Sequence, residues 1–523
     1  MTDPDRPQFN LVDEPFIPCG AIDGRSVEYC LRDTLAGAHE LRELRDDSPL
    51  VTIALQRLLI AVLHAALGDP ETLDDWGEIW QAGRFDEAAI DEYFEKWRGR
   101  FNLFDLERPF YQAWGWELPE DKRKGPNELA QELTRGNNAT LFDHTRDDPP
   151  PPFRFAAAAR NVGVNQTSAA AGGVTQTGTR TGAPLVGQVV VMPVGRTLWE
   201  TLMFNLLPSE ERPEVLQPAG SPVWERDVHS FSESSTPQGY LDLLTWQPRR
   251  VRLHVSHGAT EVREISYAQG RKLELPEGCF DPMTAYRKER PLEFDADRSV
   301  WRDSEALFSK STEGVRQPLV MDFLADLVAE EVLSSSHDIG LMCAGLKNRQ
   351  AKVFFWRHET LPLPLKYVDD SDLRGRLAEA VTTAEEIARR LRQATKDAVT
   401  ELLDPTNHRP DPTRRRQVVD SLAAERHYWS QLETPFRRFF LELAGIPEDK
   451  SDERQRRLAK WAIKDCKRSA EIAFEESVGR LDQSARMLRA RQVGRDSLGG
   501  RIGKFLKDKH YWEAYRGDND NEG

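Results

Sequence analysis

Five cysteines in 523 residues, Cys19, Cys30, Cys279, Cys343 and Cys466, are scattered, odd in number, and never stand in a C-x-x-C pair. That spacing speaks against both a cysteine-built zinc site and a disulfide framework. The opening "MTDPDRPQFN" has no basic stretch followed by an apolar one, so a secretory signal is not expected and the cytoplasm is the default compartment. Long uncharged apolar runs are missing too. The most apolar stretch, "SPLVTIALQRLLIAVLHAALGDP", carries Gln56, Arg57 and His64, whereas a membrane span wants about 20 predominantly apolar residues. With Ser48-Pro49 as a start signal and Gly68 as a stop, it reads as a buried helix.

Catalytic signatures are equally scarce. Gly173-Val-Thr-Gln-Thr-Gly178 matches the first six positions of G-x-x-x-x-G-K-[ST], but Thr179 and Arg180 stand where the lysine and hydroxyl residue belong. Without that lysine the β/γ-phosphate contact is lost, and a nucleotide site is not expected. His337-Asp338 is the dipeptide of HD-type metal phosphohydrolases, yet the further His and Asp ligands such a site needs are not in evidence around it. His254 and His257, three apart in a strand-like run, would point to opposite sheet faces. No serine or cysteine sits in a nucleophile motif. Catalysis, a metal and a cofactor are therefore not expected; a metal-dependent phosphohydrolase or nuclease around His337-Asp338 is the rival reading, and a purely structural scaffold a second.

Acid outweighs base. The formal net charge of −15 argues against a free nucleic-acid binder, because phosphate contact is dominated by Lys and Arg. The imbalance is uneven: residues 371–523 balance at +4 and residues 1–370 at −19. The length predicts more than one domain. Residues 1 to about 135 read as mainly helical after an extended opening, "FNLVDEPFIPC", whose two prolines suit an edge strand or a strap. In "FNLFDLERPFYQAWGWELP", Phe104, Phe110, Tyr111, Trp114 and Trp116 read as core packing rather than a base-stacking platform. Between Asn137 and Pro184, through the prolines Pro149 to Pro152, no hydrophobic period is visible and a long loop is expected. Residues 185–275 mix strand-like runs with a helix at "TLWETLMFNLL".

From Leu373 onward Leu377, Val381, Ala384, Ile387, Leu391, Ala394, Ala398 and Leu402 recur at steps of three and four, marking one face of a long helix. Three further helical segments follow, with breaks expected at "LLDPTNHRPDPT", "AGIPED" and "LGG". The fold class is α+β: a large mixed N-terminal domain, residues 1–370, then a C-terminal four-helix bundle, residues 371–523. In the third segment Arg457, Lys460, Lys464, Lys467 and Arg468 form a stripe of one sign, while Leu458, Trp461, Ala462, Ile463 and Ile472 are expected on the buried side. Few acidic residues neutralise the stripe, which tilts it from a plain solvated face towards phosphate contact.

Several blocks, in order, resemble one family, the large subunit of the type I-E CRISPR surveillance complex Cascade (the CasA family). They are "FNLVDEPFIPC", "LFDLERPFYQ", "NNATLFDH", "GTRTGAPL", "DPMTAYRKERP" with "SVWRD", and "GLKNRQAKVFFWRHETLP". The resemblance spans essentially the whole chain. It implies a non-enzymatic subunit that reads the protospacer-adjacent motif of double-stranded DNA from the minor groove. It further implies that the subunit starts strand separation beside the CRISPR RNA and helps recruit the effector nuclease-helicase. Its implied partners are the other Cascade subunits, the CRISPR RNA, the DNA target and that nuclease-helicase.

The resemblance assigns residues as well. Gly178, Thr179, Arg180, Thr181, Gly182 and Ala183 are similar to a glycine loop that probes the groove, and Lys288 to a lysine finger, with Arg287 and Arg290 beside it. Gln350, with Asn348, is similar to a wedge between base pairs, and Leu141 or Phe142 to a residue that inserts into the complex. The basic stripe is then placed against the displaced DNA strand. These residue types suit the task. The minor groove is narrow and its pattern degenerate, so a thin glycine backbone fits it. Lysine donates to base-edge acceptors while arginines hold phosphates. A glutamine amide both donates and accepts, satisfying the bases it parts. Where the family often has "GLRGG", this chain has "GTRTG", so Thr181 takes the place of a glycine.

Overall fold

The computed structural model describes residues 7–132, 150–175, 177–227, 234–308, 314–349, 352–479 and 484–516. The chain separates into two compact units. One is made of residues 1–300 and 309–365; the other joins Trp301–Phe308 to residues 366–523. The bundle unit thus begins five residues before the expected boundary and takes in a short piece, "WRDSEALF", from upstream.

The first unit opens with a three-stranded sheet of β1 (Ile17–Ala21), β2 (Ser26–Tyr29) and β3 (Leu41–Leu44), with β1 in the middle. The prolines predict an edge strand or a strap, yet Pro18 lies in the central strand. The ladder accommodates it because β3 pairs only from Cys19 onward and takes the Pro18 carbonyl, through the Arg45 N–H at 2.8 Å, rather than the N–H that proline lacks. Helix α1 (Pro49–Leu67) follows the sequence closely. The Ser48 side chain caps the Val51 N–H, Gly68 ends the helix at φ 84°, and most of the helix is buried, Gln56, Arg57 and His64 included. It is the one helix among the described residues long and apolar enough to cross a membrane, and its place in the core accounts for that composition.

Helix α2 (Phe155–Ser168) occupies part of what the sequence presents as a loop. Its inward positions Asn165, Gln166, Thr167 and Ser168 are polar and fully buried, so no hydrophobic period shows. Hydrogen bonds satisfy them instead: Asn165 donates to the Leu129 and Asn161 carbonyls, and Gln166 to those of Tyr111 and Arg249. Phe104, Phe110 and Tyr111 are core residues, while Trp114 and Trp116 are half-buried beneath the guanidinium groups of Arg108 and Arg250.

Four further sheets of this unit carry the candidate site. They are the hairpin β4 (Val174–Thr175) and β5 (Gly178–Thr179); β6 (Val190–Val194), which pairs with a long hairpin introduced below; the pair β7 (Arg249–His254) and β8 (Glu264–Gln269); and a three-stranded sheet of β9 (Tyr286–Arg287), β10 (Arg290–Pro291) and β11 (Val315–Arg316). The long hairpin is β12 (Asp338–Arg349) with β13 (Lys352–Pro364); the sheet order is β13-β12-β6.

In the second unit, α3 (Ser371–Leu403) buries Leu373, Leu377, Ala384, Ile387, Leu391, Ala394 and Ala398 along one face, while Val381 and Leu402 of the same expected face are half-buried. It packs with α4 (Ala424–Gly445), with α5 (Ser451–Lys460) and α6 (Arg468–Gly479), which a π-helical stretch Trp461–Lys467 joins, and with α7 (Ala485–Asp508). A short helix α8 (Tyr511–Arg516) ends the unit. The expected break at "LGG" is absent: α7 runs through Gly499 and Gly500. Each glycine costs about 1 kcal/mol in a helix interior. The buried Leu498, Ile502, Phe505 and Leu506 on either side offset that cost by packing.

Candidate nucleic-acid interface

The Gly/Thr segment is a hairpin whose strand residues Val174, Gly178 and Thr179 face solvent, while Thr177 in its turn and the chain after Thr179 are anchored. Val174 pairs with Thr179 and Thr175 with Gly178. Gly178 has φ 115°, which a side chain would strain, and a Cβ there would meet nothing within 4 Å. Gly178 and Thr179 are exposed, and Val174 at the same end is 85% exposed.

From Arg180 onward the chain is tied inward. The Arg180 Nε donates to the Gly172 carbonyl at 2.6 Å, and its guanidinium lies 3.6 Å from Glu128. The Thr181 N–H donates to the Gln269 Oε1 at 2.7 Å, Gln269 Nε2 donates back to the Thr181 hydroxyl at 3.2 Å, and Arg249 donates to the Thr181 carbonyl at 2.6 Å. Gln269 also accepts from the Thr177 hydroxyl at its backbone oxygen, at 2.9 Å. At Gly182 a Cβ would lie 2.6 Å from a Val186 methyl, so glycine there is a packing requirement. Ala183 is buried and donates to the Ala169 carbonyl at 2.9 Å. Of the six residues in the glycine-loop assignment, only Gly178 and Thr179 face outward; the other four build the base.

Lys288 is at the tip of a second hairpin. Strands β9 and β10 pair Arg287 with Arg290, leaving Lys288 and Glu289 as a two-residue turn with φ 50° and 60°. Positive φ at both positions is the type I′ geometry that Asn-Gly normally fills. Lysine and glutamate hold it at a cost of about 1 kcal/mol or more each. The Lys288 N–H, tied to the Gly314 carbonyl at 2.6 Å, and the third strand β11 fix the turn, and the Lys288 side chain is exposed.

Asn348 lies near the end of the β12–β13 hairpin, where the register shifts between Lys347 and Asn348. The wedge residue Gln350 lies outside the described residues, as do Leu141 and Phe142. Beside the turn, β13 alternates: Lys352, Phe354, Trp356, His358 and Thr360 are exposed, with Phe354 at 53% and Trp356 at 44%. The Lys352 ammonium sits 5.4 Å from the Phe354 ring centroid. Sequence reasoning used "KVFFWRHET" only for its resemblance and missed this face, although the alternation of a half-buried strand is the signal that marks it.

One short segment links all three hairpins. Following the Gly/Thr base, the Val189 N–H donates to Leu292, just past the Lys288 turn, at 2.7 Å, and Val190 pairs with Ala344 of β12. Its backbone approaches so closely that a Cβ on Gly345 would lie 2.2 Å from the Gln188 carbonyl, and one on Gly187 2.9 Å from the Asn348 Oδ1. The hairpins that sequence places 60 to 170 residues apart are thus positioned by residues 184–191.

The basic stripe does not survive as drawn. The π-helical stretch Trp461–Lys467 breaks the 3.6-residue period that lined up the five cations. Arg457 is buried at 8% exposure, with its Nε 2.6 Å from Glu442 and its guanidinium over the Phe439 ring. Burial lowers its pKa while Glu442 opposes the shift. Lys460, Lys464 and Arg468 are exposed; Lys467 pairs with Glu471 at 3.0 Å. Ile472, expected to be buried, is 38% exposed. His337 is not part of a metal cluster among the described residues. Its Nε2 lies 3.3 Å from Glu200, and its ring packs edge-on against Trp80 and Phe204. His254 bonds the Ser266 hydroxyl at 2.8 Å, and burial, then the charge of Arg123, lowers its pKa to about 4.

The family model of CRISPR-associated protein Cse1 matches residues 10–467. The chain belongs to the Cse1 family. A curated relative, CRISPR-associated protein CasA/Cse1 of Thermus thermophilus, is 31% identical over 95% of this chain and 98% of its own length. A crystal structure of Thermus thermophilus CasA matches at 29% identity with a TM-score of 0.78, over 95% of this chain and all of that one. Thermobifida fusca Cse1 matches at 25% identity with a TM-score of 0.79, over 95% and 98% of the two chains. A chain of a structure described as a CRISPR RNA-guided surveillance complex shares the fold at 23% identity and a TM-score of 0.76, over 94% of this chain and all of that one. The α+β architecture with a helical C-terminal region is therefore the Cse1 architecture.

Proposed function

We propose that this Cse1 protein is the DNA-recognition subunit of a CRISPR RNA-guided surveillance complex. It reads the protospacer-adjacent motif from the minor groove with the exposed hairpin strand Gly178–Thr179 and with Lys288. It then parts the duplex with Gln350, beside Asn348, so that the guide RNA can pair. It works by binding, without a catalytic step of its own, alongside the other Cascade subunits in the cytoplasm, and it helps recruit the effector nuclease-helicase. Leu141 or Phe142 inserts into the complex, and Lys460, Lys464, Lys467 and Arg468 face the displaced strand.

The observation that carries this reading is a pair of narrow, solvent-facing hairpin segments, the Gly178–Thr179 strand and the Lys288 turn, set by the same segment 184–191 that runs under Asn348. A glycine strand with open space around it is thin enough for the minor groove. Lysine held on a strained turn loses little freedom when it donates to base edges. Minor-groove patterns are degenerate, so several related motifs should be accepted.

The test is a duplex-binding screen with randomised adjacent motifs and the assembled complex. A small related set should be enriched, and Lys288→Ala should flatten the enrichment. Enrichment that Lys288→Ala and Gly178→Asp both leave untouched would refute the assignment.

A further inference from the structure

Of all the Phe, Tyr and Trp side chains among the described residues, only Phe354 and Trp356 are exposed, at 53% and 44%. They stand two residues apart on β13, while Phe355 and Arg357 are half-buried. The sheet order β13-β12-β6 makes β13 an edge, so one side of it has no neighbouring strand among the described residues. Two large rings open side by side on such an edge mark an interaction site rather than a solvated strand.

The backbone aims the first ring and fastens the strand that bears both. Lys347 pairs with Phe355 and Asn348 with Val353, so Phe354 is an extra residue with no partner opposite. A bulge of this kind bends its strand and re-aims the side chain it carries. On the inward side the Arg357 guanidinium donates to the Asp295 and Arg298 carbonyls at 2.9 Å each, and Glu359 accepts from the Val300 N–H at 3.0 Å. Leu346, opposite Trp356, is buried. The rings are therefore held in place before any ligand arrives, which lowers the ordering cost of binding.

The surrounding charge selects the ligand. The run "KVFFWRH" from Lys352 to His358 contains basic residues and no carboxylate, in a chain of net charge −15. The Lys352 ammonium lies 5.4 Å from the Phe354 ring centroid, and Arg349 is exposed just before the turn. A ring with a cation at its rim suits a base and its phosphate, whereas an apolar peptide gains nothing from the cation. By the strand rise the two ring-bearing residues are about 6.8 Å apart, enough for each ring to take its own base.

We propose that Phe354 and Trp356 form a stacking platform for two unpaired nucleobases of DNA, with Lys352 on an adjoining phosphate. The choice of DNA rests on the proposed function: Gln350 precedes Lys352 by two residues, so bases that it parts are released at the start of this strand. A base taken out of a duplex loses its stacking, and an aromatic face restores it whatever the sequence.

The test uses the full chain and two fluorescent probes, an oligothymidylate and an abasic strand of the same length, which has the phosphates without the bases. Phe354→Ala and Trp356→Ala should each weaken oligothymidylate binding about fivefold or more and leave binding of the abasic strand unchanged. Phe354→Tyr and Trp356→Phe should retain binding, which guards against a folding artefact. Lys352→Gln should weaken both probes and make the salt dependence shallower by about 0.7 in log–log slope. Neither probe has a duplex or a motif, so Gly178→Asp and Lys288→Ala should leave both unchanged while they lower motif discrimination in the assembled complex. Failure of the motif reading thus shows in the complex, and failure of the platform in the probes. Unchanged oligothymidylate affinity in both alanine variants, an equal loss on the abasic strand, or no binding of oligothymidylate by the wild-type chain overturns the proposal. So does tighter binding of oligouridylate, which assigns the platform to RNA.

Discussion

The Thr181 backbone N–H donates to the Gln269 side-chain oxygen at 2.7 Å, across 88 residues of chain. Gln269 is 2% exposed, and from the end of β8 it holds the Gly/Thr hairpin both at its turn, through Thr177, and beyond its second strand, through Thr181. Gln269→Leu leaves a part-buried N–H without its partner, a loss of about 1–3 kcal/mol. Thermal denaturation should show that loss. In the assembled complex, discrimination between adjacent motifs should narrow while affinity for targets already opened at the motif stays constant. Discrimination equal to wild type would show that the hairpin needs no such support.

The Lys288–Glu289 turn separates stability from function. Lys288→Asn with Glu289→Gly places at φ 50° and 60° the residues that tolerate them, and should stabilise the chain by about 1 kcal/mol. The same pair of changes removes the lysine from the groove and should lower duplex affinity about tenfold, the scale of one base-edge contact. Denaturation midpoints and duplex titrations read the two effects, which should move in opposite directions.

Arg457 and Lys460 are three residues apart and predict different outcomes. Arg457→Ala removes a buried guanidinium from Glu442 and Phe439 and should cost about 2 kcal/mol of stability. Lys460→Ala, at an exposed position, should change stability by less than about 0.5 kcal/mol. Melting curves of the two variants check this.

Glu211 gives the first unit a pH dependence. Burial first, then the neighbouring charge of Asp326 and those of Glu210 and Asp322, raises its carboxyl from 4.5 to about 7. The folded chain therefore keeps this proton to higher pH than the unfolded chain does. The favourable contribution is fully present below about pH 4.5 and is lost as pH rises through about 7. Glu211→Gln should raise the melting temperature at pH 8, by on the order of 1 kcal/mol in stability after solvent screening, and leave it unchanged at pH 4.

Local signals in the sequence were enough to place the core helix and the long bundle helix. The Ser48 cap, the Gly68 stop and the three-and-four spacing from Leu373 to Ala398 each act within a turn or two of the chain. Helix α2 escaped because Asn165 and Gln166 are buried through hydrogen bonds to distant carbonyls, which no periodicity records. Arg457 was misplaced because its guanidinium is buried against Glu442 and Phe439 of α4, a tertiary contact that no periodicity records. The hairpins were legible through resemblance and turn chemistry. Their anchors, Arg249 and Gln269, were not, because they are 68 and 88 residues from the Thr181 they hold.

The most direct measurement of the central claim compares Gln350→Ala with wild type in the assembled complex on two targets, an intact duplex and the same sequence already unpaired at the motif. Parting one base step costs a few kcal/mol. The variant should therefore weaken duplex binding about tenfold or more and leave the opened target unchanged. Equal loss on both targets, or no loss on either, would contradict it.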